Sequence, residues 1–134
     1  MIVREDGIYC YTKDWTNLKT RLFKLNPGSD TGTLQYIDNF DVGMLVTGSF
    51  YNNDDSSIYL CGYLNADDKD KETFIWVFRN TRAIDFSSSG QKYIIPELKG
   101  TQVESVFVRG NYIYLASERT KKAQKIYKIK VPEL

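Results

Sequence analysis

Two carboxylates and a guanidinium are the residues of this chain best placed for chemistry. Glu104 stands near the start, and Glu118 at the end, of two alternating apolar segments joined by Arg109-Gly110-Asn111-Tyr112. A Gly-Asn centre suits a tight turn, because both residues tolerate positive φ. The segments 103–108 and 112–117 then pair as a hairpin, and Glu104 and Glu118 meet at the end away from the turn, with Arg119 beside them. Such a group can act as an acid/base pair, contact a ligand, or form an Arg–Glu brace. The brace is the first reading.

Other clusters have plainer explanations. The chain contains no His, which removes Ser-His-Asp and Cys-His nucleophile activation and His-ligated metal sites. Asp54-Asp55 and Asp67-Asp68-Lys69-Asp70 lack the alternating spacing that wraps a calcium ion, and read as solvated hairpin tips. No metal site and no cofactor is expected. Arg119, Lys121, Lys122, Lys125, Lys128 and Lys130 read as a loop and the outward face of an edge strand, where lysines discourage aggregation. Tyr9, Tyr11 and Trp15 read as packing between sheets, with sugar stacking as the second reading. Ser87-Ser88-Ser89 is a turn with no base nearby. Cys10 and Cys61 form no C-x-x-C and read as two small buried strand residues.

The elements that must position these groups repeat. Ile-Tyr recurs at Ile8-Tyr9, Ile58-Tyr59 and Ile113-Tyr114, 50 and 55 residues apart. Each copy is followed by a second element: Leu22-Phe23-Lys24-Leu25, Ile75-Trp76-Val77-Phe78 and Ile126-Tyr127-Lys128-Ile129. Val46–Tyr51 and Val103–Val108 precede the later two copies, and Leu34–Ile37 and Lys92–Ile95 lie further upstream. All are short, rich in β-branched and aromatic residues, and bounded by Gly, Asn, Asp or Ser, as strands are. The turn Arg109–Tyr112 has a longer counterpart at 52–57, and the charged hairpin loop at 66–72 has its counterpart at 118–124. Helical periodicity is thin, and Ile126, Tyr127, Ile129 and Val131 read as a strand.

Four short strands per unit of about 50 residues is the pattern of a β-propeller blade. The sequence predicts an all-β chain of two and a half to three four-stranded antiparallel blades, a partial propeller. A β-sandwich built from hairpins is the alternative. The units are a half-blade over 1–32, a blade over 33–80 and a blade over 81–134. Closed propellers typically need about four to eight blades, so three explanations stand: the chain is a portion of a longer protein, a protein partner or further copies of the chain complete a propeller, or a smaller sheet closes differently.

With 134 residues, 42% apolar and 26% charged, the chain fits one globular unit. A net charge of +1 disfavours a nucleic-acid partner. No run of 18 apolar residues predicts a membrane span, and Met1-Ile2-Val3-Arg4-Glu5-Asp6-Gly7 is not a signal peptide.

Val46-Thr47-Gly48, Leu60-Cys61-Gly62-Tyr63, Phe74-Ile75-Trp76-Val77, Asp85–Gly90, Gln102–Val106 and Tyr114–Arg119 resemble the C-terminal half of uncharacterised secreted or lipid-anchored bacterial propeller proteins. The pairing of Val103-Glu104-Ser105 with Ser117-Glu118-Arg119 is similar to a phrase of the esterase-like phytase propellers. The likeness covers residues 33–131. It implies an extracytoplasmic propeller whose N-terminal half lies outside this sequence, and it imports no activity, because the metal-binding carboxylate clusters of true phytases are not matched.

A non-catalytic binding or interaction module is therefore the expected function, taking a protein partner, a small ligand or a carbohydrate. Glu104, Glu118 and Arg119 are its candidate ligand contacts. The alternatives are a phosphoester or ester hydrolase in a completed propeller, with Glu104 and Glu118 as acid and base, and a structural block of a larger assembly.

Overall fold

The structure, a computed structural model, describes residues 1–28, 32–64 and 71–131. It is all-β. The first sheet holds β1 (Ile2–Arg4), β2 (Gly7–Tyr11), β3 (Thr20–Leu25) and β4 (Gln35–Phe40). The second holds β5 (Leu45–Asn52), β6 (Ser57–Leu64), β7 (Glu72–Phe78) and β8 (Gly90–Ile94). The third holds β9 (Val103–Arg109), β10 (Tyr112–Ser117) and β11 (Ile126–Lys130). Each sheet is an antiparallel meander in chain order, and none closes on itself. The only helical turn among the described residues is a 3-10 turn at Pro96–Leu98.

The sheets are offset from the sequence units. β4 pairs with β3, and β8 with β7, so each upstream element completes the sheet before it. The first sheet is not half a unit. It gains β1, which pairs Arg4 with Gly7 across a two-residue turn, and it gains β4. Three residues are too few to show alternation, which is why β1 escapes a pattern search. The Arg109–Tyr112 hairpin forms as expected, but only Gly110 takes positive φ, at +55°. The acidic tip Asp67-Asp68-Lys69-Asp70 lies outside the described residues.

The second sheet lies between the other two, and period-two alternation splits its side chains between two cores. Ile58 and Leu60 of β6 pack with Ile2, Tyr9 and Leu22 of the first sheet, joined by Phe74 and Phe78. Tyr59 and Cys61 pack with Val106, Val108, Ile113 and Leu115 of the third sheet, joined by Ile75 and Val77. β6 is consequently buried on both faces, whereas β11 is an edge strand with Ile126, Lys128 and Lys130 exposed. At the rim of the first core, Phe40, Trp76, Phe78 and Phe86 pack together in stacked, tilted and edge-to-face ring pairs, and Trp76 Nε1 donates to the Val42 carbonyl at 2.9 Å.

Below, the face of each sheet turned toward the next sheet in the chain is its front, and the opposite face is its back. The second and third sheets come close together at Gly48. A methyl group there would lie 2.8 Å from Cys61 Sγ and 2.8 Å from the Ser105 Cα.

Candidate functional site

Glu104 owes its direction to a bulge. Ser105 pairs with Ala116 and Val103 with Ser117, so Glu104 is the extra residue of β9. β5 repeats the irregularity: Val46 pairs with Gly62 and Gly48 with Cys61, which leaves Thr47 extra. Bulges re-aim a side chain away from the regular faces. In the second sheet the residue is a hydroxyl that donates to the Val103 carbonyl and ties two sheets together. In the third sheet the same position carries a carboxylate.

The partner of Glu104 is Lys13, with Nζ 3.9 Å from Oε1. Lys13 lies in the loop after β2. Its ammonium also donates to the Tyr63 hydroxyl at 3.1 Å. Gln102 Nε2 donates to the same hydroxyl at 3.0 Å. The Lys13 ammonium lies 4.9 Å from the Trp15 ring centre and 5.1 Å from that of Tyr63. The Lys71 ammonium lies 5.5 Å from the Tyr63 ring centre. One end of the stack thus gathers an ammonium, a phenol, an amide and a carboxylate, supplied by all three sheets.

Burial pushes the Glu104 carboxyl above the ordinary carboxylate range. Lys13 opposes that rise, and the nearby Glu118 carboxylate adds to it. Glu104 and Glu118 do come together at the open end of the hairpin, where the Glu118 amide donates to the Gln102 carbonyl at 2.8 Å. Arg119 does not brace them. It is exposed, and the cation on Glu104 is Lys13. Tyr9 and Tyr11 turn into the first core, and burial raises both phenols above their ordinary range. Trp15 does not join that packing and stands 66% exposed beside Lys13.

The sequence carried a signal for the missed residues. Lys13 and Tyr63, like the expected Glu118, each lie five residues after the Ile of an Ile-Tyr pair, so they hold equivalent places at or just past the end of the second strand of each sheet. Their types differ, which hides the equivalence from a search for repeated letters. Register shows it, because every Ile of those pairs stands on the second strand of its sheet.

The remaining candidates are peripheral. Asp55 pairs with Arg79 at 3.7 Å, and Ser87 bonds to Asp85 within its own turn. Lys122 caps the Lys99 carbonyl at 3.0 Å, and Lys128 lies 4.0 Å from the Tyr112 ring centre. Among the described residues no group of three His, Cys, Asp or Glu side chains is gathered tightly enough to hold a metal ion. None of their helices is long and apolar enough to cross a membrane. No family model, curated protein or solved structure matches this chain.

Proposed function

We propose that the chain is a non-catalytic binding module of propeller-type blades, and that the mouth around Lys13, Trp15, Tyr63, Gln102 and Glu104 takes a small carbohydrate. The carrying observation is the connected set Lys13–Tyr63–Gln102 with Glu104, drawn from three sheets to one point beside an exposed indole. A sugar ring presents a C–H face to an aromatic platform and hydroxyls to polar groups at its edge. Trp15 supplies the platform. Glu104 and Tyr63 accept, and Lys13, Gln102 and Tyr63 donate. Three consecutive meanders stacked front to back, with equivalent residues converging at one end, support the blade reading.

The test is calorimetric titration with a panel of neutral and acidic oligosaccharides, with product analysis of the same mixtures. Saturable binding without turnover is expected. It should weaken at least about tenfold in Trp15→Ala, a loss typical of an aromatic anchor, and also in Glu104→Gln, with melting temperatures retained. Absence of binding across the panel overturns the carbohydrate reading. Ester or phosphoester hydrolysis that disappears in Glu104→Gln overturns the non-catalytic one.

A further inference from the structure

The two ends of the stack are unlike, and each is the kind of surface that the interior of the molecule covers. On β2, β6 and β10 the back-facing pairs are equivalent: Ile8 and Cys10, Ile58 and Leu60, Ile113 and Leu115. The second and third pairs are fully buried, each against the front of the preceding sheet. Ile8 and Cys10 are apolar too, and among the described residues no sheet lies behind them, so they are only half-buried. Phe23 and Leu25 share their face with Val3 and Tyr36, and these last two are 66% and 51% exposed.

The opposite end mirrors this. Tyr9 and Tyr59 point forward and are covered by the following sheet. Their equivalent Tyr114 points forward from the third sheet and is half-buried beside Phe107 and Tyr112, which are 50% and 41% exposed, with Phe107 held edge-on to the Phe50 ring of the second sheet at 4.9 Å. Among the described residues one back and much of one front are therefore left uncovered, and the interior twice packs a front onto a back.

We propose that a second copy of this chain covers both, with the front of each third sheet packed on the back of the partner's first sheet. Two copies joined this way have two identical junctions and six sheets, a closed ring within the usual range of about four to eight blades. This inference rests on the blade reading above, and goes beyond it by naming the partner.

Charge supports the same pairing. Arg4 closes β1 opposite Gly7, as Asn52 closes β5 opposite Ser57 and Arg109 closes β9 opposite Tyr112. From the first sheet Arg4 reaches forward over the Tyr51 ring at 4.5 Å, and it shares a cleft with Asn53. Glu5 occupies in the first sheet the place that Asn53 has in the second. Arg109, reaching forward in the same way, meets the partner's Glu5.

The experiment is the solution mass by sedimentation equilibrium, with oligosaccharide titration of the same samples. The full chain is expected at twice 15.5 kDa. Val3→Lys alone and Tyr114→Lys alone are each expected to be monomeric, because every junction uses both faces. Their equimolar mixture regains a dimer through the one junction with two unaltered faces. Arg109→Glu and Glu5→Arg, both at exposed positions, weaken association at least about tenfold singly and restore it when combined in one chain. These variants serve even if the apolar-face substitutions unfold. A monomeric wild-type chain, a mass of three or more chains, or a Val3→Lys variant that still dimerises overturns the inference. The last outcome would mean that like faces pair. Oligosaccharide binding by a monomeric wild-type chain sinks the dimer alone. A dimer that binds no sugar sinks the carbohydrate reading alone.

Discussion

Glu104 combines a position fixed by the backbone with a charge that the backbone does not require. The bulge that aims it also aims Thr47, where a hydroxyl suffices. Its raised pKa means that folding favours the protonated acid. The stability it contributes is present below the ordinary carboxylate value and is lost as pH rises through the higher folded value. Glu104→Gln should therefore be at least as stable as the wild type at neutral pH, and thermal unfolding across the acid range should show a flatter pH dependence. A clear loss of stability at neutral pH would instead make the Lys13 ion pair a net structural brace. Cys61 offers a contrasting case. Burial pushes its thiol up to about 12, and its side chain is wholly enclosed, so it should resist thiol reagents until the chain unfolds.

Among the elements, the middle sheet is the one both cores depend on. Gly48 lets β5 come against β9, and a methyl group there meets backbone as well as Cys61. Backbone cannot rotate aside as a flexible side chain can. Gly48→Ala should cost about 1–3 kcal/mol by overpacking, read from denaturant unfolding. Leu60→Ala removes a fully buried side chain from the first core and should cost about 2–5 kcal/mol. A smaller loss at Leu60 would show that the first and second sheets close over the gap. The strands themselves were legible in sequence, because alternation and turn residues are local. Their assignment to sheets was not. Leu34–Ile37 looks like the start of a unit when copies are aligned, yet β4 pairs with β3, since an antiparallel meander joins each strand to its immediate neighbour.

At the scale of the whole molecule, the stacking order decides which repeated residues are hidden. Cys10 and Leu60 hold equivalent places, yet Cys10 is half-buried and Leu60 fully buried, because only one has a sheet behind it. That difference makes Cys10 a reporter for the proposed second copy. If a second copy covers that face, a maleimide should label neither thiol of the wild-type chain rapidly. In the combined absence of Glu5 and Arg109 pairing, as in Arg109→Glu, it should label Cys10 and spare Cys61. Rapid labelling of Cys10 in the wild-type chain would show the back of the first sheet to be open in solution.

The amino-acid sequence alone determined the all-β class, the recurrence of strand phrases at intervals of about 50 residues, the Gly110 hairpin and the meeting of Glu104 with Glu118. Each follows from neighbours in the chain or from pairing across one tight turn, where side-chain direction alternates with a period of two. Only the tertiary structure decided that Lys13 and Tyr63 join Glu104, that Arg119 does not, that Tyr9 is buried while Trp15 is not, and that among the described residues Val3 and Tyr36 on one outer face and Phe107 and Tyr112 on the other stay exposed. These outcomes depend on sheets stacking face to face. Stacking brings together residues far apart in the chain, and its partners are set by shape and burial rather than by any period that can be read along the sequence.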